Sequence, residues 1–270
     1  MTAAIGTFLT IAGAAVWFQA AGTGPAVVFL HAGIADSRMW DAEFESLQAT
    51  HRVVRLDLRR FGRSHFVPGT FSYHGDVVAI LDSLKIERAT LVGCSFGSGV
   101  ALDVALAHPE RVERLVLVSP SVGDGDHSEE IRAFGEREEA ALERGDLGGA
   151  AEENLRMWVD GPHREPDAVA PAVRKLVGAM QRQAFDIPTP EGIKLDRLDP
   201  PARDRLGDAR VPALVVAGSL DVEHVLNVAR RMKDEMPGAR LEIIEGTAHV
   251  PTLENPREWL GLLNGFLTEQ

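Results

Sequence analysis

The sequence predicts an α/β protein with a mostly parallel central sheet flanked by helices and interrupted by a helical insertion. Three observations carry this. Short apolar runs bounded by Gly, Pro or Asp alternate with helix-like segments toward both ends of the chain. The connections between successive runs are long enough for right-handed parallel crossovers. Between residues 124 and 206 the apolar runs stop and charge rises: 31 of these 83 residues are Asp, Glu, Lys or Arg, against 37 of the other 187. The core is therefore expected over residues 1–123 and 207–270, with 124–206 as a helical cap.

Taken in order, residues 8–11 and 16–19 read as two short strands around the turn Ala12-Gly13-Ala14. They belong to a stretch of 35 residues without one charged side chain. A secretory signal fits poorly, because no positive charge precedes Ile5. Thr7, Thr10, Gly13 and Gln19 also interrupt the run well short of the ~20 apolar residues that a membrane span needs. A cytoplasmic protein is the expectation. Residues 27–30, VVFL, read as a strand buried on both faces, ending at His31-Ala32-Gly33. Ser37 is expected to cap a helix reaching about residue 49. RVVRLD at 52–57 is the next strand, followed by a turn with Gly62. A helix over 72–84 leads to a strand over 89–94. The following helix, 96–108, stops before Pro109, whose ring disfavours helix in the residue ahead of it. Another strand covers 115–119. After the insertion the alternation resumes with a strand over 213–217, a helix over 223–235, a strand over 241–244 and a helix after Pro256.

Composition sets limits on function. At 270 residues, with 45% hydrophobic and 25% charged side chains, the chain can build a large core and is not a disordered one. A net charge of −12 excludes a general binder of nucleic acids or anionic membranes. The one cysteine excludes an internal disulfide framework and a cysteine-rich zinc site. Gly22-Thr23-Gly24 lacks the lysine of a phosphate loop, and no dinucleotide fingerprint opens a helix. No cluster has metal-ligand spacing. Neither a cofactor nor a metal is expected; the partner is a small-molecule substrate, and the chain is a monomer or a homodimer.

The strongest chemical signal is Gly93-Cys94-Ser95-Phe96-Gly97, a G-x-S-x-G motif between a predicted buried strand and a predicted helix. Such a turn exposes the serine at the carboxyl end of the sheet. Cys94 should point away from the site, as a core thiol. A serine hydroxyl needs a base within hydrogen-bond reach. Of nine histidines, His249 is the choice, because its loop follows strand 241–244 and lies at the same end of a parallel sheet as Ser95. His31 is expected to brace its own loop. The base needs a carboxylate to orient it. Asp221 follows strand 213–217 and is the choice for that acid, a role compatible with a second one as a helix N-cap; Asp124 and Asp126 are the alternatives. Two backbone amides should hold a developing oxyanion. Phe96 supplies one and Gly33, or else Ile34, the other. In the insertion, Met157, Trp158, Met180 and Phe185 are apolar at helical spacing, and Met157, Trp158 and Phe185 are the residues expected to roof a pocket. The run 136–139 reads as a solvated acidic helix face.

With these residues in view, the chain resembles the α/β-hydrolase superfamily. The order Ser95, Asp221, His249, the loop LHAGIADSRMW, the segment DLRRFGRS at 57–64 and the closing AHVPTLENP carry the resemblance along essentially the whole chain. It departs at Ala32, which follows His31 where the common loop has His-Gly. Ser95 stands where epoxide hydrolases and haloalkane dehalogenases carry an aspartate. The resemblance implies a Ser-His-Asp serine hydrolase that forms an acyl-enzyme on a small to medium carboxylic ester or lactone. SRMWD at 37–41 is similar to a stretch of enol-lactonases. Carbon–carbon bond hydrolases, cofactor-free haloperoxidases, lyases and non-catalytic ligand-binding proteins share the fold and are the alternatives. The cap holds 19 acidic and 12 basic residues, so it carries much of the net charge and would disfavour anionic substrates if those charges line the mouth.

Overall fold

The computed structural model describes residues 6–123 and 128–269. Asp124 and Asp126, the alternative acids, lie outside these residues. The first half of the chain lays down β1 (Thr7–Ile11), β2 (Ala14–Ala21), β3 (Ala26–Leu30), α1 (Asp41–Leu47), β4 (Arg52–Leu56), β5 (Gly69–Phe71), α2 (Tyr73–Ser83), β6 (Ala89–Cys94), α3 (Phe96–Ala107) and β7 (Val112–Val118). Then come α4 (Glu129–Glu143), α5 (Leu147–Asn154), α6 (Pro171–Asp186), β8 (Ile193–Leu195), β9 (Ala213–Gly218), α7 (Glu223–Glu235), β10 (Ala239–Ile244), α8 (Pro251–Glu254) and α9 (Pro256–Thr268). A π-helical turn, Leu155–Asp160, continues α5.

Eight strands form one sheet in the order β1-β2-β4-β3-β6-β7-β9-β10. The first two pairings are antiparallel, and every pairing from β4 to β10 is parallel. Successive side chains of a strand point to opposite faces, and two cores follow from that period. On one face Val28, Leu30, Leu91, Leu115 and Val215 pack against α2, α3 and α7 through Ile80, Val104 and Met232. On the other, Val27, Phe29, Val92, Val116 and Val216 meet α1 and α9 through Phe44, Trp259 and Leu263. Helices on both faces explain why the parallel strands read as unbroken apolar runs rather than alternating ones. Among the described residues no helix is long and apolar enough to cross a membrane.

Two sequence expectations change. Asp36, not Ser37, is the N-cap: its carboxylate accepts from the Arg38 amide at 3.0 Å, and Ser37 already lies in the short helical turn Ser37–Trp40 that precedes α1. The interval 124–206 does contain a strand. β8 pairs in parallel with β5, Gly69 opposite Ile193, in a separate two-stranded sheet. Three residues, two of them exposed, carry no apolar run, so only the distant partner defines that strand.

One buried group in the fold is a charge without full compensation. Glu43 of α1 is 1% exposed; its Oε1 accepts from Trp259 Nε1 at 2.6 Å, and its Oε2 has no partner. Burial pushes its pKa up to about 7. A carboxyl whose folded pKa is raised stabilises the fold fully below its unfolded value, near 4.5, and loses that contribution as pH rises through about 7. The loss is on the order of 3 kcal/mol. Glu43→Gln keeps the acceptor for Trp259 without the charge. Between pH 5 and 8 the Tm of the wild type should fall by several degrees more than that of Glu43→Gln, measured by thermal unfolding; parallel Tm profiles would contradict this.

Candidate active site

The site is built on the turn from β6 to α3. Ser95 sits there at φ 51° and ψ −112°, a left-handed conformation costing about 1–3 kcal/mol for a serine. Close packing holds it. A Cβ added to Gly93 would lie 2.2 Å from the Gly97 carbonyl oxygen, and one on Gly97 would lie 2.3 Å from that of Leu30. Both positions therefore require glycine. Hydrogen bonds complete the turn: Ser95 N–H donates to Val118 O at 2.8 Å, and Ser98 Oγ donates to Ser95 O at 2.6 Å.

The carboxyl ends of β9 and β10 bring the other two groups to this turn. His249 Nε2 lies 2.8 Å from Ser95 Oγ, and its Nδ1 lies 2.9 Å and 3.1 Å from the two carboxylate oxygens of Asp221. His249 and Asp221 are 3% and 2% exposed. A carboxylate only accepts, so Nδ1 carries the proton and Nε2 is left to accept from the serine hydroxyl. This arrangement can take a proton from Ser95 and stabilise the resulting imidazolium. Asp221 does not cap α7. Val222 occupies the cap position there, and Asp221 Oδ1 accepts from the Val222 amide at 2.8 Å.

The His249 loop is clamped from the insertion. His249 N–H donates to Trp158 O at 3.2 Å, and Ala248 N–H donates to Glu254 Oε1 at 2.8 Å. Glu254 pairs with Arg164 at 2.7 Å, and Arg164 donates further to the carbonyls of Val159, Asp160 and Gly246. His31 braces its own loop: its Nδ1 donates to Ala32 O at 2.8 Å and its Nε2 accepts from Leu58 N–H at 2.9 Å. Burial holds its pKa below the ordinary histidine value, which suits this neutral tautomer. Cys94 is fully buried, and burial pushes its thiol far above the usual range. It does not compete as a nucleophile.

Gly33 faces the start of α3, where a Cβ on it would lie 3.6 Å from Phe96 Cβ. Neither the Gly33 nor the Phe96 amide donates to another described residue. Two unengaged amides beside Ser95 are suited to a developing oxyanion. A cavity of about 320 Å³ opens above Ser95 and His249. Gly33, Ile34, Trp158 and Phe185 line it, and the Trp158 ring lies 4.6 Å from that of His249. Met157 does not. It is buried against Phe134, Val222 and Val225, because neighbouring residues of a helical turn face different ways. Sequence reasoning missed Arg60, Phe61, Phe134, Glu138, Asn154 and Gln181 on the cavity wall. Arg60 and Phe61 belong to the segment DLRRFGRS, already singled out. The other four stand on α4, α5 and α6 with no local signal beyond amphipathic spacing, and Glu138 departs from the solvated face read over 136–139, because it turns toward Asn154 and the cavity.

The tight turn can be tested directly. Gly97→Ala places a methyl against rigid backbone and should lower stability by about 3 kcal/mol, whereas Gly135→Ala, on an open helical position of α4, should not. Equal Tm values for the two variants would contradict this packing.

Comparison with known proteins follows this geometry. A family model described as alpha/beta hydrolase fold matches residues 25–256. The chain is 24% identical to 3-oxoadipate enol-lactonase 1 of Acinetobacter baylyi, over 90% of this chain and 88% of that protein. It superimposes on a hydrolase from Pseudomonas aeruginosa with a TM-score of 0.80 and 26% identity, covering 99% of this chain and 100% of the other. It also superimposes on an N-acyl homoserine lactone degrading enzyme with a TM-score of 0.71 and 27% identity, over 96% of this chain and 99% of that one. The chain belongs to the alpha/beta hydrolase fold family.

Proposed function

We propose that this protein is a serine hydrolase that cleaves a small to medium carboxylic ester or lactone through an acyl-enzyme. The observation that carries the reading is the buried hydrogen-bonded chain from Asp221 through His249 to Ser95, with separations of 2.9 Å and 2.8 Å. Ser95 Oγ attacks the carbonyl carbon while its proton passes to His249 Nε2. The amides of Gly33 and Phe96 hold the oxyanion. Collapse of the tetrahedral intermediate breaks the bond to the leaving oxygen, which takes the proton from His249. In a lactone that hydroxyl stays tethered to the acyl group. Water, deprotonated by His249, then attacks the acyl-enzyme, and the acid and Ser95 are released.

A lactone is supported by two relatives, whose names describe an enol-lactonase and an enzyme that degrades N-acyl homoserine lactones. A small substrate fits a cavity of about 320 Å³, at the low end for ligand sites. On this reading the enzyme works on a soluble small molecule and uses no cofactor. Carbon–carbon bond cleavage remains the alternative reaction for the same three groups.

Turnover of p-nitrophenyl acetate and butyrate tests the proposal. Ser95→Ala should lower kcat/KM by at least about 10³-fold, and Asp221→Asn by a similar factor, with the fold intact by circular dichroism. Wild-type turnover in Ser95→Ala would overturn the assignment.

A further inference from the structure

The cavity above Ser95 holds a cation that the reaction proposed for this site does not use. In the loop after β4, Arg59 forms a bidentate pair with Asp76, at 2.6 Å and 2.7 Å. Arg63 pairs with Asp57 at 3.3 Å and lies over the Trp17 ring. Between them Arg60, an exposed residue, lines the cavity mouth, and its guanidinium makes no hydrogen bond or ion pair with any described residue. Its backbone is at φ 78°, a conformation that favours glycine. The loop does not need this side chain. The turn is closed by the Arg60 amide, which donates to Ser64 O at 3.2 Å, and a glycine would make that bond with less strain. Strain kept at a residue that lines the same cavity as Ser95 points to a role there.

A second, independent observation lies on the same wall. Gln181 is 5% exposed, lines the cavity, and its Oε1 is buried without a partner. The amide nitrogen at the other end of the group is not buried in this way, so Gln181 can donate its N–H groups to an anion from the cavity wall. Glu138 is the one carboxylate on the described wall, and Asn154 Nδ2 donates to its Oε1 at 2.5 Å. The cavity is thus polarised, with a planar, unengaged guanidinium contributed by the β4 loop and a carboxylate contributed by α4. The acidity of the insertion does not dominate it. Glu138 is the one described carboxylate of the insertion that lines it, and others pair with arginines elsewhere, as Glu153 does with Arg137 and Glu152 with Arg156.

We propose that Arg60 is a specificity-determining residue: the substrate carries a carboxylate in addition to its scissile ester or lactone carbonyl, and Arg60, aided by Gln181, holds that carboxylate while Ser95 attacks the carbonyl. This rests on the serine-hydrolase reading of the same cavity. A guanidinium matches a carboxylate in a two-point fork, so it fixes orientation as well as charge.

Monomethyl glutarate and methyl valerate have acyl chains of the same length, ending in a carboxylate and a methyl group. The wild type should prefer monomethyl glutarate in kcat/KM, and Arg60→Gly should lower the glutarate-to-valerate ratio by at least tenfold. Glycine relieves the positive φ, so the variant should unfold at the same temperature as the wild type or higher. A ratio changed by less than twofold overturns the proposal. Titration of both esters into Ser95→Ala and into Ser95→Ala/Arg60→Gly separates this inference from the reading beneath it. Tighter binding of monomethyl glutarate that the second substitution abolishes supports Arg60 as an anion site even if no ester is turned over. Equal binding by the two proteins overturns it. Equal turnover by the wild type and Ser95→Ala overturns the hydrolase reading alone.

Discussion

The close approach of two backbones at Gly93 and Gly97 is the constraint on which the rest of the site depends. β6 ends in the middle of the sheet, and α3 must start at once to pack back across β3 and β7. With no side chain at either position, the Gly97 carbonyl and the Leu30 carbonyl come nearer than any Cβ would allow. Ser95 is left in a conformation it would not choose, and its hydroxyl projects from the carboxyl edge of the sheet. The large apolar cores on both faces supply the energy that keeps it there. Ser95 is thereby fixed by the fold itself, and the loops after β9 and β10 have only to reach it.

Those loops are held by ion pairs in which at least one partner is buried. Arg164 and Glu254 join the helical turn after α5 to the His249 loop, and Arg174 pairs with Asp160 on the same turn. Arg59 with Asp76, and Arg63 with Asp57, do the same for the loop after β4. Breaking one partner of such a pair leaves a buried charge uncompensated, which costs more than the pair contributes when intact. The pairs therefore specify loop positions more than they add stability. Arg60, lying in the same loop without a carboxylate of its own, stands out against this pattern.

Local sequence carried the strands and helices of the core, because helices on both faces force central strands to be apolar throughout. β6 and α7 were legible to the residue. Ser95, His249 and Asp221 could be chosen by one rule: parallel strands present their carboxyl ends, and the loops that follow them, at one edge. Features that depend on distant partners were not legible. β8 exists only through its pairing with β5. Met157 and Trp158 are adjacent in sequence, yet one packs against Val222 and the other against the His249 ring, a division that only tertiary packing decides. The cavity positions of Gln181 and Glu138 depend in the same way on how three helices dock over the sheet.

The account rests on His249 making the Ser95 hydroxyl nucleophilic. The most direct measurement is labelling by an alkyl fluorophosphonate, with the adduct mapped by peptide mass spectrometry in the wild type and in His249→Ala. The account predicts one adduct on Ser95 in the wild type, and labelling slowed at least a hundredfold in the variant. An adduct on another residue, or equal labelling rates in the two proteins, would contradict it.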